Sequence, residues 1–258
     1  MDGKRISLWP PVIAMIAFLL VWQGAVFVFG PETWLLPGPV DVAREAAVIW
    51  PRLWEHTAAT IKLTVLGFAA GVITGIAVAA ILSLFARLRA GMYPLLIMSQ
   101  NVPVIVLGPL LVMWFGFGLF PKVLLITLIC FFPVTVAMLT GLSNSDPRLM
   151  NYMQMIGAGR WEIFRRLELP GAIPYLFSGI KIAAAYSVTG AVVAEWLGGT
   201  SRGISYFIQL SSKGFMTARV FAGVCIIITL SMLLFAIVTL IERRFIRWRP
   251  REGKEDDR

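Results

Sequence analysis

Residues 143–170 read Ser143-Asn144-Ser145-Asp146-Pro147-Arg148-Leu149-Met150-Asn151-Tyr152-Met153-Gln154-Met155-Ile156-Gly157-Ala158-Gly159-Arg160-Trp161-Glu162-Ile163-Phe164-Arg165-Arg166-Leu167-Glu168-Leu169-Pro170. A helix opening near Asp146-Pro147 is physically sensible, because an aspartate side chain accepts from the free amides of a first turn and proline suits a position whose amide is unpaired anyway. Gly157-Ala158-Gly159 breaks that helix and lets a second one begin, which Leu169-Pro170 is expected to close. The spacing predicts a compact knob of two short helices joined by a glycine corner. The knob sits in a link from Thr140 to Pro174 with long apolar blocks on either side.

Those blocks set the class of the chain. Of 258 residues, 58% are hydrophobic and 14% charged, against about 25% charged in a soluble domain. The apolar residues gather in runs of about 20, each long enough to cross a hydrocarbon layer of about 30 Å as a helix. Six spans are expected: Trp9 to Phe29, Ile61 to Leu84, Tyr93 to Trp114, Val123 to Thr140, Tyr175 to Leu197 and Val220 to Phe245. The expectation is an all-α membrane protein forming one transmembrane domain over residues 1–258, with the knob link at 141–173 and a basic tail at 246–258. The run after Lys4-Arg5 is long and no convincing small-residue cleavage site follows it, so it is read as a retained first helix and not a cleaved leader.

The net charge of +9 does not point to nucleic acid, since the basic residues lie at the ends of apolar blocks and form no patch interleaved with aromatics. They read as topology signals. Fifteen, Lys4, Arg5, Arg87, Arg89, Arg148, Arg160, Arg165, Arg166, Arg243, Arg244, Arg247, Arg249, Arg251, Lys254 and Arg258, share the side of the termini, and seven, Arg44, Arg52, Lys62, Lys122, Arg202, Lys213 and Arg219, take the other. By the positive-inside rule both termini and the knob are cytoplasmic. The lipid bilayer is the first partner. The link 30–60 is then external and begins with an extended, proline-rich stretch from Pro31 to Pro39, followed by a helical segment from Val40 to Ile49.

Three features depart from plain lipid-facing helices. Gly67, Gly71, Gly75 and Ala79 recur every four residues and make one small-residue packing face. Gln100 and Asn101 sit beside Pro103 at membrane depth, where they serve either as interhelical glue or as lining of a solute path. The fifth span holds Tyr186, Ser187 and Thr189, with Glu195 at its outer end as an interfacial carboxylate or part of an outer gate. Lys181 is expected to reach back to the interface. Cys130 and Cys225 lie in apolar blocks and read as filler. No metal site is expected.

The knob resembles the cytoplasmic loop of the permease subunits of bacterial ABC importers, whose pattern is Glu-Ala-Ala, three residues, Gly, nine residues, an aliphatic residue, any residue and Leu-Pro. Gly157 and Leu167-Glu168-Leu169-Pro170 fit that spacing, whereas Asn151-Tyr152-Met153 stand where the family has Glu-Ala-Ala. Leu36-Pro37-Gly38-Pro39, Trp114-Phe115-Gly116-Phe117-Gly118, Phe131-Phe132-Pro133 and Asp146-Pro147-Arg148 are similar to runs in the nitrate, sulfonate and taurine branch. Gly190 to Trp196 and the altered Glu-Ala-Ala resemble permeases assigned to thiamine-precursor pyrimidines such as hydroxymethylpyrimidine, or to riboflavin.

The resemblance implies a type I importer permease fold in a bacterial inner membrane and a coupling helix. It implies a second permease copy, two cytoplasmic ATPase subunits that hold ATP and Mg, and an external solute-binding protein. It also implies ATPase coupling through Met150, Asn151, Tyr152, Met153, Gly157, Ala158, Gly159, Arg160, Leu169 and Pro170. Gln100, Asn101, Tyr186, Ser187, Thr189 and Glu195 are the candidates for the translocation path. The chain has no Gly-x4-Gly-Lys-Ser/Thr loop to cradle nucleotide phosphates, so no cofactor of its own is expected. A membrane-embedded enzyme would need a His-Glu-x-x-His, a Gly-x-Ser-x-Gly or paired intramembrane aspartates, and a secondary transporter would show coupling carboxylates or an inverted repeat; none is visible.

Overall fold

The computed structural model describes residues 9–99, 101–199 and 201–246. Lys4, Arg5, Gln100 and the tail from residue 247 lie outside them. The secondary structure among the described residues is helical: α1 (Trp9–Phe29), α2 (Pro39–Val48), α3 (Trp50–Leu84), α4 (Ala86–Ser99), α5 (Val104–Phe115), α6 (Leu119–Ser143), α7 (Pro147–Met155), α8 (Arg160–Ile163), α9 (Leu169–Leu197), α10 (Ile204–Lys213) and α11 (Thr217–Phe245). Five stretches are long and apolar enough to cross a bilayer: α1, α3, α6, α8 through α9, and α11. The expected third span is not one continuous helix. Arg87–Ser99 and Val104–Phe115 meet at 101°, because Pro103 cannot continue a helix and the Asn101 amide caps the carbonyls of Ile97 and Met98 at 3.3 and 3.4 Å.

Two compact units divide the chain. The larger holds Thr60–Thr200 and the chain from Ile228 onward, and its centre is the packing of α3, α6 and α9. A Cβ on Gly67, Gly71 or Gly75 would lie 2.5 to 2.9 Å from the side chains of Ile126, Cys130 and Val134 on α6. Glycine is required there for the backbones to approach, as the four-residue spacing predicts. The Thr127 and Thr135 hydroxyls donate within α6, to the Val123 and Phe131 carbonyls at 2.8 and 2.7 Å, and also lie 3.5 and 3.3 Å from the carbonyls of Gly67 and Gly75. Gly179 of α9 faces Ala137 and the Pro133 carbonyl of α6. Buried Ala183, Ala191 and Ala194 of α9 join Leu125, Ile126 and Cys130 in the same core. Lys181 does not reach the interface alone: its ammonium pairs with Glu242 of α11 at 2.9 Å.

The Leu169-Pro170 stop is also corrected. α8 runs through a π-helical turn, Phe164–Glu168, directly into α9. The Leu169 amide bonds to the Phe164 carbonyl, five residues back. That widened turn gives Pro170, which has no amide to donate, room to pass without breaking the helix.

The smaller unit holds residues up to Ala59 and Ser201–Ile227. Leu53, Ile204 and Phe207 are its core, and Arg219 pairs with Glu45 at 2.7 Å. The Gly203 amide donates to His56 Nδ1 at 3.2 Å. The stretch before α2 is not extended throughout, since the amides of Leu35 and Leu36 both turn back to the Glu32 carbonyl. α2 then starts at Pro39, with the Gly38 amide held by Asp41 at 3.1 Å.

Gly71→Leu is expected to destabilise the chain by about 1–3 kcal/mol or more through overpacking, since its Cβ would meet Cys130 Cβ at 2.5 Å and the Thr127 carbonyl oxygen at 2.9 Å. Gly91→Ala, with nothing within 4 Å, is the control and leaves stability unchanged or slightly raised. Thermal unfolding of the two variants in detergent separates the effects.

Candidate partner-docking site

The knob begins as its residues predict. Asp146 Oδ1 accepts from the Arg148 amide at 2.8 Å and Pro147 takes the first turn of α7. At the other end Gly157 adopts φ +78°. Its amide reaches the Gln154 carbonyl, and the Ala158 amide reaches that of Met153, both at 3.0 Å. This pair of bonds is the Schellman arrangement, which needs a left-handed residue at the corner. A Cβ at Gly157 would meet nothing within 4 Å, so glycine is required there for its backbone conformation and not for space. Gly159 has ordinary φ and precedes Arg160 as the cap of α8.

Every residue of α7 lies outside the core. Leu149, Tyr152, Met155 and Ile156 are each at least half exposed, with Trp161 beyond the corner. Their spacing of three and four residues puts the four on one helical face. Asn151 is exposed as well, while Met150, Met153 and Ala158 are half-buried. Arg148, Arg165 and Arg166 are exposed on the same link. Large apolar side chains gathered on one face, on a link between the long apolar helices, are a candidate partner surface. The residue types at 151–153 drew attention in the sequence, but Leu149, Met155, Ile156 and Trp161 did not. Their helical spacing was the signal that would have found them.

Beneath the exposed face the knob is anchored. Ile163 and Phe164 are buried, and Phe164 joins Leu82 of α3, Met138, Leu139 and Leu142 of α6, and Ala172 of α9. Glu168, 4% exposed, sits in the π turn. One of its oxygens accepts from Arg160 Nη1, and the other from the Ser83 hydroxyl at 3.3 Å. Arg160 Nη2 also donates to the Ser83 carbonyl at 2.7 Å. Breaking a fully buried ion pair costs about 3–5 kcal/mol; Arg160 is half exposed, so this one lies below that range. A cleft of about 470 Å³ lined by Ser83, Arg89, Tyr93, Pro94 and Arg160 opens beside it. Leu169 is half-buried and Pro170 exposed, on the first turn of α9.

The residues expected along a translocation path differ in their surroundings. Asn101 is exposed and bonded to its own helix, and Gln100 lies outside the described residues. Tyr186 and Thr189 share the exposed face of α9. Ser187 is buried and donates to the Ala184 carbonyl. Glu195 is buried and accepts from the Thr60 hydroxyl of α3 at 2.6 Å. Lys122, read from the sequence as a topology signal, is instead 4% exposed and within electrostatic reach of Glu195. Neither Thr60 nor Ser83 could be matched to its carboxylate by spacing, because the partners are 135 and 85 residues away.

Comparisons with known proteins meet these observations. The profile of the binding-protein-dependent transport system inner membrane component matches residues 67–247. The formylaminopyrimidine transport permease protein of Halalkalibacterium halodurans is 30% identical over 243 residues, covering 94% of this chain and 96% of its own. The riboflavin transport system permease protein of Chloroflexus aurantiacus is 31% identical over 245 residues, covering 93% and 91%. A crystal structure of an amino acid ABC transporter with histidines superposes with a TM-score of 0.62 at 18% identity, over 78% of this chain and 97% of that one. The chain therefore belongs to the binding-protein-dependent transport system inner membrane components, as a multi-pass permease subunit of an ABC importer that is not itself a catalyst.

Proposed function

We propose that the whole chain works as one permease domain, paired with a second copy, and that two cytoplasmic ATPase subunits grip the two knobs while an external binding protein delivers the solute. ATP and Mg are held by the ATPases. Both termini and the knob lie on the cytoplasmic side, in keeping with the basic residues gathered there. The observation that carries the reading is the apolar face of Leu149, Tyr152, Met155 and Ile156, held out by the left-handed corner at Gly157. Burying one such side chain contributes about 1.5–3 kcal/mol before association costs. Apolar contact thus takes the place of the glutamate that Asn151-Tyr152-Met153 lacks. The complementary surface on the ATPase is an apolar cleft with an acidic rim that meets Arg148, Arg165 and Arg166.

The solute is a small nitrogen heterocycle, for which a thiamine-precursor pyrimidine is the best candidate. Two relatives of nearly equal identity support this. One is named for a formylaminopyrimidine and the other for riboflavin, and both of those compounds contain a pyrimidine ring. Riboflavin, or sulfonates, taurine and nitrate, are the alternatives. Asn101, Tyr186 and Thr189, exposed in the single chain, line the path with Gln100, and the buried Ser187 and Glu195 hold its wall.

Gly157→Val is expected to insert normally but to lose ATP-driven uptake, because a β-branched residue in the left-handed region costs about 1–2 kcal/mol and the corner re-forms elsewhere. Normal uptake by that variant sinks the coupling role. Met155→Asp is expected to lower the amount of ATPase that co-purifies with the chain by about tenfold or more; unchanged co-purification rules out the apolar contact. In vesicles holding the reconstituted importer, pyrimidines are expected to compete for uptake and sulfonates not to. Uptake driven by an ion gradient without ATP would contradict the whole reading.

A further inference from the structure

α9 carries two buried carboxylates, Glu168 beside the knob and Glu195 near its far end, and each is taken by a hydroxyl of α3. Ser83 serves Glu168 and Thr60 serves Glu195. Between these two ties, α3 and α9 both close on α6 through glycines that leave no room for a Cβ. Arg160, the first helical residue after the corner, adds the third element at the knob end by holding both Glu168 and the last turn of α3. Glu168 therefore belongs at once to the knob, to α9 and to α3.

We propose that Ser83, Arg160 and Glu168 are positioning residues that clamp α3 to the knob, so that α3, α6 and α9 follow a displacement of the knob as one body. The proposal rests on the coupling role assigned to the knob. Two properties of the clamp make it a transmitter and not a hinge. Glu168 sits inside the helix, in the π turn, so its backbone moves with the start of α9 and its short, bonded side chain carries that movement to Arg160 and Ser83. Its charge is out of water, so separating it from Arg160 and Ser83 strands a bare carboxylate; that makes an intact clamp the preferred state at both ends of a transport cycle. The tie between Thr60 and Glu195, with Lys122 alongside, carries the same motion to the far end of the three helices. Bistable movement of packed helices then occurs around this block and not within it.

The test uses the complete importer in lipid vesicles, with solute uptake and ATP hydrolysis measured on the same preparation. Glu168→Gln keeps the shape of the side chain and removes its charge. The expected result is that the solute carried per ATP hydrolysed falls about tenfold, while Glu168→Asp retains most of that ratio. A purely structural role would lower the yield of folded complex and leave the ratio unchanged, which overturns the proposal. Gly157→Val is run in parallel. If it transports normally the coupling reading itself has failed, whereas a dead Gly157→Val beside a Glu168→Gln with an unchanged ratio removes the clamp alone.

Discussion

Close approach of three helix backbones is the constraint on which the larger unit depends. Between helices in lipid there is no hydrophobic gain to drive association, so contact rests on dispersion and on polar groups near enough to bond. Gly67, Gly71 and Gly75 on α3 and Gly179 on α9 supply the nearness, each against a named side chain or backbone atom of α6. The polar bonds follow from it. The threonine hydroxyls of α6, bonded within their own helix, come within 3.3 to 3.5 Å of carbonyls of α3 because those glycines carry no side chain. The knob in turn rests on the inner core of this block, through Phe164 against Leu82, Met138 and Leu142. A device meant to be pushed needs a stiff base, and here the stiffness begins with absent side chains.

Much of this was legible in the sequence, and the parts that were not share a cause. Apolar block length gave most spans, the four-residue glycine spacing gave the packing face, and Asp146-Pro147 with Gly157 gave α7 and its corner. These are local signals, read within a few residues. Leu169-Pro170 misled because a proline normally ends a helix, and nothing nearby in sequence announces a π turn that absorbs it. The third apolar block hid a bend of 101° because composition does not report direction. Charged residues were the hardest. Lys122 and Lys181 read as interfacial cations, yet one lies buried near Glu195 and the other pairs with Glu242. Ser83 and Glu168, 85 residues apart, carried no mark at all. A partner that distant is fixed by tertiary packing, which one sequence does not display.

The pairing of Lys181 with Glu242 has a consequence for how the protein is made. The two residues are 61 positions apart, and α9 reaches the insertion machinery well before α11 exists. At about 5–20 residues per second of synthesis, the lysine waits roughly 3–12 s for its carboxylate. A lone lysine within a spanning helix opposes release into lipid by about 2.5–3.5 kcal/mol at the centre of the bilayer and less toward the edge. α8 through α9 is also the least apolar of the five long spans. The helix that joins the knob to the rest of the larger unit is thus the one least able to settle in the bilayer unaided. Its assembly is completed only when α11 arrives and Glu242 neutralises its lysine.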